Sequence, residues 1–126
     1  MKISCGTDII EIDRIKNAID KTGTKFINEV FTPKEIDYCE SKKAAKYEHY
    51  AGRFAAKEAI YKAISQFLDN KYAANWKNAE IINKVDGKPE IHFIGIELPQ
   101  ISSIDISISH CKTHASANVC IIFEGE

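Results

Sequence analysis

A carboxylate and an ammonium group stand inside a helical stretch that is otherwise apolar. The stretch RFAAKEAIYKAI, residues 53–64, contains no helix breaker, and its apolar side chains run nearly all the way round the helix. Within it, Glu58 and Lys62 lie one turn apart. They could form an i, i+4 salt bridge worth roughly 0.2–0.5 kcal/mol. Because burying charges is costly, the alternative is a site in which Glu58 binds a divalent cation and Lys62 binds phosphate oxygens.

A second carboxylate, Asp8, lies in the N-terminal stretch GTDIIEIDRI. Residues 2–7 alternate weakly, as in a short strand, and isoleucines then recur at helical spacing. Two roles are compatible with this position. Asp8 could cap the following helix, with Glu11 completing a capping box. It could instead bind a hard metal ion at the strand end, where Gly6 would allow another backbone to approach closely.

The third polar group is the segment SISHCKTHASANV, in which His110 ends an alternating strand. A histidine at a strand end is more often a surface residue than a catalyst, and no G-x-S-x-G motif supports a serine nucleophile. Glycine motifs that cradle phosphates are also absent from the sequence. Arg53 and Lys57 add positive charge on another stripe of the central helix. The residues alone therefore indicate Mg²⁺-dependent phosphate chemistry.

The order of the predicted elements indicates an α+β fold with helices packed on a mostly antiparallel sheet. Thr32, Pro33 and Glu35 form a helix start, and residues 44–68 predict a long central helix. The second half changes to strand periodicity. It contains a hairpin turn at residues 86–89, then the strands SIDISIS and HASANVCIIF, and we expect the N-terminal strand to join the same sheet.

Length and charge limit the class of protein. The 126 residues suffice for a single domain spanning residues 1–126, and the net charge of −1 favours neither nucleic acid nor an anionic membrane as partner. No apolar run approaches 18 residues and the N-terminus lacks a signal-peptide layout, so we expect a cytoplasmic location. The four cysteines fit no zinc pattern and are expected to act as small hydrophobic residues.

Three motifs together resemble those of the 4′-phosphopantetheinyl transferase superfamily. They are G-x-D-I-x-x-I-x-R-I near the N-terminus, R-F-A-A-K-E-A-x-x-K in mid-chain and S-I-S-H near the C-terminus. The chain length and the FTPKE and DGKP elements are similar to the superfamily's short branch, whose members form trimers with active sites at subunit junctions. The resemblance covers essentially the whole chain.

The resemblance implies transfer of the phosphopantetheine arm of coenzyme A to a serine of apo acyl carrier protein, in fatty acid biosynthesis, with release of adenosine 3′,5′-bisphosphate. It implies a catalytic group of Asp8, Glu58 and Lys62, in which the two acids hold Mg²⁺ and the lysine meets the phosphates. Glu58, or a water beside it, is the candidate base for the serine. Contacts to coenzyme A are implied for Arg53, Lys57, Lys62 and His110. Contacts to the acidic helix of the carrier are implied for Arg14, Lys21, Lys25 and Phe26.

The sequence departs from the superfamily pattern at two places. The segment KAISQFLDNKYAANW after the second motif contains no glycine, and His114 stands where relatives often carry an aromatic residue. Two other functions fit the same residues. One is a metal-dependent phosphohydrolase acting on coenzyme A or nucleotides, and the other is a non-enzymatic module that binds carrier proteins.

Overall fold

A computed structural model gives the fold and describes residues 1–68 and 75–125. Within these described residues, four α-helices and five strands follow one another in the order β1, α1 to α4, β2 to β5. The helices are α1 Ile12–Thr22, α2 Thr24–Val30, α3 Pro33–Glu40 and α4 Lys46–Ile64. The strands are β1 Lys2–Glu11, β2 Ala79–Asn83, β3 Pro89–Phe93, β4 Ile101–His110 and β5 His114–Phe123. The predicted start of α3 is confirmed, because Thr32 and Glu35 form a complete capping box.

The strands form two antiparallel groups. The larger has the order β1-β5-β4, and the smaller is the hairpin of β2 and β3. The expected α+β fold is therefore confirmed, including the entry of the N-terminal strand into the main sheet. Helix α4 packs on the inner face of that sheet and is buried along most of its length, as its apolar pattern predicts.

The boundary between β1 and α1 differs from the expectation. β1 continues to Glu11 because it pairs with β5 over its full length, from Lys2 opposite Phe123 to Glu11 opposite His114. α1 begins only at Ile12, and its N-cap makes no side-chain capping bond. The interpretation of Asp8 as a cap with Glu11 is therefore wrong. Asp8 lies within a strand, which leaves its carboxylate available for other contacts.

The inner face of β1 lies unusually close to α4. Ser4 Oγ donates a hydrogen bond to the carbonyl of Ala63. A Cβ atom placed on Gly6 would lie 1.8 Å from the carbonyl oxygen of Ala59, so only glycine fits this position. The expected close backbone approach at Gly6 is confirmed. Because inward positions alternate along a strand, Asp8 is the next residue after Gly6 to face α4.

The cysteines differ in environment. Cys39 is buried, and burial raises the pKa of its thiol to about 12. Cys5, Cys111 and Cys120 are exposed, so the expectation of four small hydrophobic residues is wrong for these three. Two of them line up across β1 and β5 at their outer surface. Within residues 1–68 and 75–125, no helix combines the length and apolar character needed to cross a membrane.

Candidate active site

Asp8 and Lys62, from β1 and α4, meet at the contact between these two elements. Lys62 Nζ lies 3.2 Å from Asp8 Oδ1 and donates a second hydrogen bond of 3.0 Å to the carbonyl of Thr7. The Asp8 side chain is only 18% exposed, whereas that of Lys62 is 55% exposed. The lysine therefore has its charged end at the surface, where it can change partners when an anion arrives.

Glu58 completes this group from one turn earlier on α4. Partial burial raises the pKa of its carboxyl group, the nearby negative charge of Asp8 raises it further, and Lys62 opposes the shift. Among the described residues, no ion pair joins Glu58 to Lys62, so the interpretation as a simple helix salt bridge is wrong. The negative charge of Asp8 is instead close enough to act on Glu58, and a cation between the two carboxylates would relieve their repulsion.

The donor set fits a magnesium ion. In the described part of the chain, no group of three or more His, Cys, Asp or Glu side chains could hold a metal ion, and the acidic side chains at this site are those of Asp8 and Glu58. Mg²⁺ favours one or two carboxylates and completes its octahedral shell with water and phosphate oxygens. Two neighbouring acids without histidine or cysteine thus suit Mg²⁺ better than zinc.

A cavity of about 260 Å³ adjoins Glu58. One wall is α4, and the other is the segment that leads into β2 together with β3. Aromatic and aliphatic side chains dominate the lining: Ile60, Tyr61, Ile64, Trp76 and Phe93. An apolar cavity beside charged groups is the usual design of a site for a small organic ligand.

Arg53 is buried rather than free at the surface. Its guanidinium stacks over the Tyr38 ring at 4.0 Å from the ring centre and donates to the side-chain oxygen of Asn83. Within the described residues, its Nε has no hydrogen-bond partner. Leaving this donor without a partner in the interior costs free energy.

Lys57 has no comparable freedom. Its amine lies 2.9 Å from Glu35 Oε1 and donates to the carbonyls of Trp76 at 2.9 Å and Ala79 at 2.7 Å. An ammonium group has three donors, so all three are used within this chain. Burial lowers the pKa of this amine and Glu35 opposes that shift. The sequence assigned Glu35 only to the start of a helix and did not reveal its ion pair with Lys57, although its position in the FTPKE element was a usable signal.

His110 lies in an aromatic row at the end of β4. Its ring contacts the ring of His49 edge-on at 5.8 Å, and His49 contacts Tyr38 in the same way at 5.5 Å. The Nδ1 atom of His110 is 3.4 Å from Glu48 Oε2. Burial, together with nearby cations, lowers the pKa of His49. This row connects His110 to the Tyr38 ring under Arg53, and His49 is a member that the sequence did not reveal.

The residues predicted to meet the carrier lie on α1 and α2. Arg14, Lys21 and Lys25 are exposed, and Arg14 and Lys21 share one face because they are two helical turns apart. Phe26 is partly buried, with its ring 6.1 Å from that of Phe54. His114 is exposed beside Thr113. Residues 69–74 of the glycine-free segment after Lys62 lie outside the described residues.

Comparison with known proteins places this fold and site in one class. The family model described as the 4′-phosphopantetheinyl transferase superfamily matches residues 4–120. A holo-[acyl-carrier-protein] synthase from Ruminiclostridium cellulolyticum is 44% identical over 96% of this chain and 92% of its own length. The chain belongs to this superfamily and, within it, to the family of holo-[acyl-carrier-protein] synthases.

Solved structures agree with this assignment. The Helicobacter pylori holo-[acyl-carrier-protein] synthase in complex with coenzyme A has a TM-score of 0.78 at 29% identity, covering 94% of this chain and 99% of that one. The Bacillus anthracis holo-(acyl-carrier-protein) synthase in complex with CoA (3′,5′-ADP) has a TM-score of 0.72 at 32% identity, covering 94% of each chain. The predicted family and fold are thereby confirmed.

Proposed function

We propose that this enzyme transfers the 4′-phosphopantetheine group of coenzyme A to a serine of apo acyl carrier protein in fatty acid biosynthesis, and releases adenosine 3′,5′-bisphosphate. The observation that carries the proposal is the meeting of Asp8, Glu58 and Lys62 beside an apolar cavity, in a chain of the holo-[acyl-carrier-protein] synthase family. Residues 1–126 would act as one catalytic domain.

Each member of the site has a role in this reaction. Asp8 and Glu58 would hold Mg²⁺, which when bound neutralises charge on the diphosphate of coenzyme A. Lys62 would turn from Asp8 to a phosphate oxygen, because its amine is at the surface and an anionic phosphate is a better partner than a carboxylate already shared with a cation. This places positive charge where the leaving group becomes negative.

Glu58 is our candidate for the base, acting directly or through a water. The serine oxygen forms a bond to the phosphorus that carries the arm, the bond to the adenosine bisphosphate breaks, and the hydroxyl proton passes to the carboxylate. In the metal-free site, partial burial and the charge of Asp8 raise the pKa of Glu58.

Two substrates must reach this site. The partly satisfied guanidinium of Arg53, together with His110, would meet the nucleotide part of coenzyme A. The exposed cations Arg14, Lys21 and Lys25 support binding of an acidic carrier helix. Phe26 would contribute to that contact. We also propose a homotrimer with active sites at subunit junctions, supported by the exposed isoleucines Ile3 and Ile9 on the outer face of β1.

The proposal predicts a mass change on the carrier. Incubation with coenzyme A, Mg²⁺ and apo acyl carrier protein should add one phosphopantetheine group to the carrier, as measured by intact-protein mass spectrometry. Removal of divalent ions with a chelator should abolish the gain, and added Mg²⁺ should restore it. Phosphate release without a carrier would favour the phosphohydrolase alternative. No mass gain with several carriers would contradict the proposal.

A further inference from the structure

We infer that Glu35 and Lys57 are positioning residues for the cavity beside Glu58, and that Lys57 does not itself bind coenzyme A. The inference rests on the proposed function for its link to catalysis. It concerns Glu35 of the FTPKE element. Capping of α3 accounts for only some of the contacts that its carboxylate makes. The geometry of the pair itself is independent of any substrate.

The pair is a fully buried cross-link between three elements. The side chains of Lys57 and Glu35 are 1% and 0% exposed. Glu35 Oε1 accepts from the backbone N–H of Thr32 at 2.8 Å as well as from Lys57, and Glu35 Oε2 accepts from the N–H of Ile81 at 2.7 Å. The carboxylate therefore joins the start of α3 to β2, and the lysine ties both to α4.

Lys57 also holds the wall of the cavity. The carbonyls that accept from it, those of Trp76 and Ala79, lie at the two ends of the short turn 76–79. Trp76 and Ala79 line the cavity from one side, and Glu58, the next residue after Lys57, lines it from the other. The distance between Glu58 and the opposite wall is thus set by the hydrogen bonds of one amine.

A direct role of Lys57 in phosphate binding would require breaking these contacts. All three donors are occupied, and moving the amine would leave the Glu35 carboxylate buried without its counter-ion. Lys62, one turn past Glu58, has an exposed amine that can bind phosphate without breaking a buried ion pair. The arrangement therefore assigns phosphate contact to Lys62 and support of the cavity to Lys57.

Three variants test the inference. Glu35→Gln keeps an acceptor but removes the charge, and Lys57→Met keeps the aliphatic stem. The double variant removes both charges, so it retains the fold even if a single variant leaves an unpaired ion. Two quantities are measured on protein shown to be folded by circular dichroism. One is kcat/KM for coenzyme A and for carrier separately, and the other is the emission of Trp76, the chain's one tryptophan.

Positioning predicts a red shift of the Trp76 emission in all three variants, because the turn that carries this half-buried ring loosens. It also predicts a roughly ten- to hundred-fold fall in kcat/KM for coenzyme A, with little change in KM for the carrier. The double variant should lose no more kcat/KM for coenzyme A than the worse single variant, since both substitutions act through the same contact. Lys62→Met is the matched control. It should lower the rate of transfer and leave the emission of Trp76 unchanged.

Two results would overturn the inference. One is a folded double variant with the emission and the coenzyme A kinetics of the parent protein, which would leave the pair with a role in stability alone. The other is a rise in the KM for coenzyme A in Lys57→Met together with a fall in the same KM in Glu35→Gln. That pair of changes is expected if Lys57 binds phosphate and Glu35 only restrains it. If the parent protein modifies no carrier, the proposed function fails, and the emission still decides whether the pair positions the turn.

Discussion

Replacement of Glu58 by glutamine is expected to lower the rate of transfer by roughly 10²–10⁴-fold, the usual contribution of a general base. Glutamine has the same shape but neither accepts the serine proton nor carries the negative charge that a divalent ion needs. The fold should survive, because the change also removes the repulsion between this carboxylate and Asp8. The measurement is the initial rate of carrier modification by mass spectrometry, with thermal unfolding followed in parallel.

Glu97→Gln provides the control for this variant. Glu97 is exposed between β3 and β4, so the same chemical change there should leave the rate of transfer within about twofold of the parent. A Glu58→Gln protein with a normal melting temperature and a rate within about tenfold of the parent would exclude Glu58 as the base. If the protein were a non-enzymatic module that binds carrier proteins, Glu58→Gln should leave its binding unchanged. The transfer mechanism predicts a large loss of activity instead.

Gly6→Ala should have the largest steric effect on stability of the glycine-to-alanine changes in the described chain. The new Cβ atom would lie 1.8 Å from Ala59 O and 2.8 Å from Ala59 C, and both are backbone atoms that cannot rotate away. β1 and α4 must therefore separate, at a cost of roughly 3 kcal/mol or more. For a domain of this size, we expect the melting temperature to fall by about 10 °C or more in a thermal unfolding experiment.

Gly52→Ala on α4 is the matched comparison. Its Cβ atom would meet only the side-chain carbon Cγ2 of Ile108 at 3.0 Å, and alanine is the better helix former by about 1 kcal/mol. These effects nearly cancel, so the melting temperature should stay within about 4 °C of the parent. If Gly6→Ala were as well tolerated as Gly52→Ala, the close contact of β1 with α4 would not exist, and the placement of Asp8 beside Lys62 would lose its basis.

The fold was predictable wherever a local pattern agreed with the final packing. The alternation in SIDISIS puts Ile104, Ile106 and Ile108 on the inner face of β4, and the capping box starts α3 where Thr32 indicates. The end of β1 was not predictable in this way. Its isoleucines have helical spacing, yet pairing with β5 overrides that preference up to Glu11.

The site could be predicted only in part, because its members come from distant parts of the chain. Asp8 and Lys62 are 54 positions apart, so no spacing rule joins them, and the motif resemblance was the only guide. That resemblance also suggested Lys57 as a coenzyme A contact. The burial of its amine depends on how α3 and β2 pack against α4, which no short stretch of sequence encodes.

A structure with bound ligands would test the central arrangement most directly. Crystals grown with coenzyme A and Mn²⁺ can be analysed by anomalous scattering, which locates the metal without assumptions about the protein. We predict one Mn²⁺ peak within roughly 2.0–2.3 Å of a carboxylate oxygen of both Asp8 and Glu58, with the amine of Lys62 on a phosphate oxygen. A metal peak bound by other side chains, or the two carboxylates facing different regions while coenzyme A is bound, would contradict the account.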